Sequence, residues 1–314
     1  MSAAAPTGVR FIGPLETALH LRSLPLLKDL PPCELAVVTQ QARERSFPSG
    51  TEVLRPGEPV PSFHVVVEGA LRARGGEHGD ERVGPGGVVG LLTLLARDEA
   101  GLQVVAEEDS LTLEIDADQL ADVFEDQSFI LHHQIQALAR QLLEEREQLP
   151  DGAWLAPAQD VPVAGDAPLD LVERLMLVGP NQNRQSVDAL VALVQEAREL
   201  RFPEGELLWR VGDPSGFSDL IVDGSVTCRL PQGQSFRCGR GYPLGDLESV
   251  AAVPRWYDAT AEAPLRVLRS RTEVFLDLLE DHFEMATSFL AGLAASTVAG
   301  RRRRTSTLLA ANAR

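Results

Sequence analysis

The chain has 314 residues, 44% hydrophobic and 24% charged, the make-up of an ordinary soluble globular protein of about two domains. Lys and Arg number 29 against 46 Asp and Glu, a net charge of −17 that argues against a general nucleic-acid binder, which needs a basic face to displace phosphate counterions. Three cysteines, Cys33, Cys228 and Cys238, form no CxxC pair, so a disulfide framework is not expected and a reducing compartment fits better.

Residues 1–14 are small and loop-like, and the first few show no basic region followed by an apolar core, so no signal peptide is expected. No apolar run approaches bilayer length, which makes a cytoplasmic protein the expectation. From Leu15 to Glu44 the text is helical, with Leu15, Leu19, Leu26 and Leu27, then Leu35, Val38 and Ala42 after the Pro31–Pro32 entry. A β block follows from Gly50 to Ile115, in which Phe63, Val65 and Val67 alternate with Ser62, His64 and Val66. At Asp116 the period changes to helical: a short helix over Gln119–Phe124, then a long one over Ser128–Gln148 with Leu131, Ile135, Leu138 and Leu142 on one stripe.

Residues 150–168 hold four prolines, two glycines and little periodicity, which reads as a proline-stiffened linker, held at Trp154–Leu155. Helical text resumes from Leu169 to Glu199, strands from Gly205 to Leu268, a helix over Thr272–Leu279 and a last helix over Asp281–Ala299. That helix also has an apolar stripe, Phe283, Ala286, Leu290 and Leu293, and a basic tail, 301–314, closes the chain.

The second half restates the first. Laying Ala42 on Ala197 gives an offset of 197 − 42, or 155, residues. At that offset Phe47 meets Phe202, Pro48 meets Pro203, Gly50 meets Gly205, Arg55 meets Arg210, Gly57 meets Gly212, Pro59 meets Pro214, Val67 meets Val222 and Gly69 meets Gly224, without a gap. Glycine and proline dictate backbone turns, so a shared rhythm of both means the same succession of turns twice.

A helical lead-in, a Gly-turned β block, then a short and a long helix resembles the cyclic nucleotide-binding domain family of bacterial catabolite activators and kinase regulatory subunits. The Phe-Pro-x-Gly, x-Gly-(Asp/Glu)-Pro and Val-x-Gly turns carry the likeness over nearly the whole chain. It implies a mainly β fold with flanking α: two tandem jelly-roll β-sandwich domains over 15–149 and 169–300. The family's ligand cassette is Gly-Glu-Leu followed at a fixed distance by Pro-Arg-Ala-Ala-Thr-Val. A short helix there aims N–H groups at the cyclic phosphate, the arginine binds its exocyclic oxygens and the glutamate accepts from the ribose hydroxyl.

In the second copy the resemblance makes Gly245, Asp246, Leu247 and Arg255 the candidate ligand-binding residues, with Gly241 ahead of them. Asp246 replaces the glutamate, Trp256 and Tyr257 replace two alanines, and Asp258 adds negative charge near the expected phosphate. Alternatively, Pro254–Arg255 is a surface turn whose arginine pairs with Asp246, Glu248 or Asp258. In the first copy the equivalents are Gly90, Leu91 and Ala100, which lack both the acid and the arginine, and Arg97 is out of place to substitute.

His132 and His133 are adjacent and make a poor metal pair, and no P-loop, Ser-His-Asp elbow or metal spacing appears. No catalytic residue, metal or obligatory cofactor is expected. The expected function is a non-enzymatic adaptor or scaffold of two degenerate domains acting through protein–protein contacts. The alternative is a regulator gated by a cyclic nucleotide bound in the second domain alone, through Arg255. Only about fifteen residues follow the last predicted helix, too few for a groove-reading module, so no DNA partner is expected. The stripes on the two long helices permit a homodimer. The run Arg301–Arg304, followed by Thr305-Ser306-Thr307, is read first as a solvated helix end, with a basophilic kinase site or an electrostatic tether as alternatives.

Overall fold

The computed structural model describes residues 12–24, 27–28, 30–76, 79–147, 165, 167–178 and 187–312. Most of the expected N-terminal segment and linker, Trp154 and Leu155 included, lies outside the described residues. The chain divides into two compact units: Met1–Asp126 with Arg301–Arg314, and Gln127–Gly300.

In the first unit, helices α1 (Pro14–Arg22) and α2 (Pro32–Gln41) each begin on proline, whose missing N–H costs nothing in a first turn. Eight strands follow: β1 (Arg43–Phe47), β2 (Glu52–Pro56), β3 (Ser62–Glu68), β4 (Leu71–Gly75), β5 (Gly79–Val83), β6 (Val88–Val89), β7 (Gly101–Ala106) and β8 (Ser110–Asp116). The short helix α3 (Leu91–Leu95) interrupts them, and α4 (Ala117–Asp126) ends the unit's first stretch. The strands form two antiparallel sheets, β1-β8-β3-β6 and β2-β7-β4-β5, around a core that includes Leu54, Val66, Leu71, Val89, Leu102 and Val104.

The second unit opens with the long helix α5 (Ser128–Glu147), then α6 (Leu171–Val178) and α7 (Val187–Glu196). Its strands are β9 (Arg198–Phe202), β10 (Leu207–Trp209), β11 (Phe217–Asp223), β12 (Val226–Arg229), β13 (Ser235–Cys238), β14 (Pro243–Leu244), β15 (Asp258–Ala261) and β16 (Leu265–Arg271). Helix α8 (Asp246–Val250) stands where α3 stands in the first unit, and α9 (Thr272–Asp281) and α10 (Phe283–Asn312) follow. The sheets are β9-β16-β11-β14 and β10-β15-β12-β13, the first unit's topology strand for strand. The 155-residue offset holds into the strained backbone. Among the described residues, the two non-glycine positions with left-handed φ, Arg97 (52°) and Ala252 (53°), are counterparts. The fold is mainly β with flanking helices, two tandem jelly rolls.

Gly224 shows why the Val-x-Gly turn is written twice. Its φ is +87°, and a Cβ there would lie 2.6 Å from the carbonyl oxygen of Pro264 and 3.1 Å from Leu265 Cα, both backbone atoms. Its counterpart Gly69 abuts the carbonyl of Asp109 in the same way. Gly224→Ala is expected to cost the second unit at least about 2 kcal/mol in urea denaturation.

Several expected boundaries move. β1 and β9 precede the expected β blocks: RERSF and RELRF are too charged for a strand pattern, yet both pair along their length with β8 and β16. β3 does not show one wet face, because Ser62 to Val67 are all buried. The long helix α5 packs on α8 and α9, so the first unit's globule ends at Asp126 and not near 149. Its stripe Leu131, Ile135, Leu138 and Leu142 is buried within the chain, as are Ala286, Leu290 and Leu293 of α10. The arginine run is not a helix end: α10 continues through it to Asn312. Arg302 donates to the carbonyl of Gly76 and pairs with Asp98, both in the first unit. The side chains of 304–307 lie outside what is described.

Cys228 and Cys238 meet in the core of the second unit with their sulfurs 3.9 Å apart, both free and buried. Burial pushes the Cys228 thiol well up, which leaves it unreactive. Among the described residues no helix is long and apolar enough to cross a membrane.

Candidate functional site

In the second unit the cassette begins where β14 ends. Gly245 takes a left-handed turn (φ 75°) that starts α8, and the chain leaves α8 through the left-handed Ala252 to Pro254 and Arg255. Both backbone groups of Arg255 are held: its N–H donates to Asp213 O (2.9 Å) and its carbonyl accepts from Gly212 N (2.8 Å). The x-Gly-Asp-Pro turn therefore fixes where the arginine starts.

The side chain does not lie on a surface turn. Arg255 is only 1% exposed, the largest of the fully buried side chains among the described residues. Its Nη1 donates to Gly245 O at 2.8 Å and its Nη2 to Phe217 O. The guanidinium carbon stands 4.2 Å from the ring centre of Trp209 and 4.8 Å from that of Phe217. Glu248 Oε1, also buried, is 3.7 Å from Nη1. The arginine thus pairs with Glu248, one of the three expected acids, but inside the protein. Asp258 is occupied elsewhere, accepting from Val211 N at 2.9 Å, and adds no charge beside the guanidinium.

Tyr257 turns inward and Trp256 packs beside it. Tyr257 is 3% exposed, with ring centres 5.8 Å from Trp209, 5.2 Å from Phe236 and 5.1 Å from Trp256, and Phe236 stacks on Trp256 at 5.8 Å. The Tyr257 hydroxyl acts to lower the pKa of the Glu248 carboxyl. Burial raises the pKa of Glu248, against the pull of Arg255, and burial lowers that of Arg255, against the pull of Glu248. Each charge is tolerable only because the other is there. Asp246 sits at the head of α8; burial raises its pKa and the cation of Arg146 opposes this more than Arg255 does. Gly245 has no room for a side chain, since a Cβ would collide with the Arg255 guanidinium.

The first unit keeps the backbone and drops the chemistry. Gly90 is left-handed at φ 89° ahead of α3, but Leu91, Leu92 and Leu95 are buried there. Ala100, in the place of the arginine, is exposed, and Gly57 N still donates to its carbonyl (3.0 Å). Arg97 is exposed and does not replace it.

Three members of the second site escaped the sequence reading: Trp209, Phe217 and Glu248 in its buried role. A signal existed in the repeat, because at the 155-residue offset they stand against Leu54, Ser62 and Thr93. Two aromatics and an acid enter the second copy together with Arg255.

Residues 44–127 match the family model described as Cyclic nucleotide-binding domain. Among solved structures the chain is similar to the regulatory subunit of a cAMP-independent protein kinase A from Trypanosoma brucei, with 16% identity, 93% of this chain and 89% of that one covered, and a TM-score of 0.32. It is also similar to the regulatory domain of Toxoplasma gondii PKA with cAMP, at 16% identity, coverage of 85% and 94%, and TM-score 0.33. A third is the catabolite activator protein of Thermus thermophilus, at 24% identity, coverage of 40% and 62%, and TM-score 0.33. No curated protein sequence matches the chain.

Proposed function

We propose that this protein is a non-enzymatic regulatory adaptor whose two jelly rolls serve as protein-binding scaffolds and bind no cyclic nucleotide. One observation carries the reading: the arginine that would receive a cyclic phosphate turns Nη1 to Gly245 O and Nη2 to Phe217 O, between two aromatic rings and beside Glu248. A ligand would have to displace Tyr257 from the core and pull a buried cation off its anion. Losing such a pair costs about 3–5 kcal/mol, more than a single phosphate contact returns. The first cassette, with Leu91 and Ala100, has neither the acid nor the arginine of the family's pattern.

Isothermal calorimetry with cyclic AMP and cyclic GMP is the test. No heat of binding is expected up to millimolar ligand. A saturable binding heat that Arg255→Lys abolishes would overturn the reading and establish a regulator gated through Gly245, Asp246, Leu247 and Arg255. The partner under this reading is a protein; co-purification and cross-linking that yield neither a specific partner nor self-assembly count against it. Leu131, Ile135, Leu138 and Leu142, and Ala286, Leu290 and Leu293, of the two apolar stripes are buried within the chain, so a homodimer would have to use other surface. The free buried thiols suit a reducing, cytoplasmic setting.

A further inference from the structure

Helix α5 reaches the second cassette through two arginines. Arg140 Nε donates to the carbonyl of Ala251 at 2.9 Å. Ala251 caps the C-terminal end of α8, where carbonyls have no partner within the helix, and the chain turns left-handed at the next residue. At the other end of α8 the cation of Arg146 acts on Asp246 and on the buried Tyr242. Six residues of α5 separate the two arginines, a rise of about 9 Å, and the five residues of α8 rise about 7.5 Å. The lengths match for two helices packed antiparallel, an arginine at each end of the shorter one. Between those ends Leu142 and Leu143 of α5, and Leu247 and Val250 of α8, are all buried.

We propose that α5 is a latch on the second cassette, with Arg140 and Arg146 as the positioning residues that hold α8 in one place. Neither residue touches Arg255, and the latch works on the segment that carries Asp246, Leu247 and Glu248. Any movement of α8 must break the charge-assisted hydrogen bond from Arg140 at one end and take Asp246 out of the field of Arg146 at the other. The inference rests on α8 being the cassette and not on whether the pocket takes a nucleotide, so the calorimetry above leaves it untouched.

Hydrogen–deuterium exchange of the full chain without ligand tests it. In Arg140→Ala and in Arg146→Ala the α8 amides, residues 247–252, are expected to exchange roughly tenfold faster or more, the range for losing a hydrogen bond to a charged group. Amides of β3 in the first unit should keep their wild-type rates. Exchanging the charges, Arg146→Asp with Asp246→Arg, should return the α8 rates toward wild type. Should Arg140→Ala fail to fold, Arg140→Lys keeps the charge but not the planar donor, and a smaller acceleration confined to α8 is expected. Unchanged α8 exchange in these variants overturns the latch. So does an equal acceleration across both units, which would make the arginines general supports, and failure of the exchanged pair to recover removes Arg146 from it.

Discussion

Arg255→Ala is expected to destabilise the second unit by about 3–5 kcal/mol with no ligand present, the usual cost of stranding one member of a buried ion pair. The substitution leaves Glu248, 2% exposed, with its nearest cation gone, and takes the guanidinium from the carbonyls of Gly245 and Phe217, which keep only the Ser249 hydroxyl between them. It also opens a gap between the faces of Trp209 and Phe217. An arginine kept for an incoming phosphate behaves oppositely: its removal relieves a lone buried charge and leaves the ligand-free protein unharmed or steadier. Urea denaturation followed by tryptophan fluorescence separates the two, because all three tryptophans, Trp154, Trp209 and Trp256, fall within 127–300. The double variant Arg255→Met with Glu248→Gln removes both charges and keeps most of the volume, and it should recover at least half of the loss. A single variant within about 0.5 kcal/mol of wild type, the spread of neutral surface substitutions, would sink the structural role.

Much of the fold could be read from the repeat because glycine and proline constrain the backbone by themselves. Gly224 must be glycine wherever Pro264 O presses against it, and Gly69 repeats the requirement. The site was legible only as far as identity and spacing go. Asp246, Glu248 and Arg255 could be placed on one cassette, but whether the arginine faced water or the core depended on Trp209 and Phe217, which arrive from β10 and the start of β11. Pairings between strands so far apart in sequence leave no local pattern. The same limit applied to α5, whose stripe calls for cover without saying which unit provides it. It applied to α10 as well, where an arginine-rich text looks like an exit from structure and is instead helix.

The two units resolve one buried position with different chemistry. His64 on β3 faces Glu114 on β8, and the residues 155 later are Asp219 and Arg269. In the second unit these make a two-pronged pair, both contacts at 2.7 Å, with Asp219 fully buried and the guanidinium 3.7 Å from the Phe217 ring centre. In the first unit the acid has moved to β8. Glu114 is pushed up by burial, but hydrogen bonds from Arg45 and Ser62 outweigh this and hold it below the usual carboxylate range. An anion on each scaffold needs a donor. The first unit reaches it from the edge strand β1, and the second from within the sheet.

His64 gives the first unit a dependence on pH that the second lacks at this position. The ring is 2% exposed, with Nε2 3.4 Å from Ser62 Oγ, Nδ1 3.2 Å from Thr112 Oγ1 and a T-shaped contact with Phe47. Burial lowers its pKa to about 4; the charge of Glu114 works against this and that of Arg45 with it. An unfolded histidine takes its proton near pH 6.5, so between there and about 4 the unfolded chain binds a proton that the folded one refuses. The stabilisation is therefore complete above pH 6.5 and is lost as pH falls toward 4, about 3 kcal/mol in all. Glu114 adds to the loss in the same direction at lower pH, since its folded pKa is also depressed. Asp246 and Glu248 have the opposite sign, but they belong to the second unit. Urea denaturation by circular dichroism at pH 7, 5.5 and 4 should show the wild-type first unit losing most of that 3 kcal/mol. His64→Gln, which keeps a polar group toward Ser62 and Thr112 but takes up no proton, should be less stable at pH 7 and lose about 1 kcal/mol or less over the same range. Parallel losses in the two proteins would mean that acid acts on the first unit through groups other than His64.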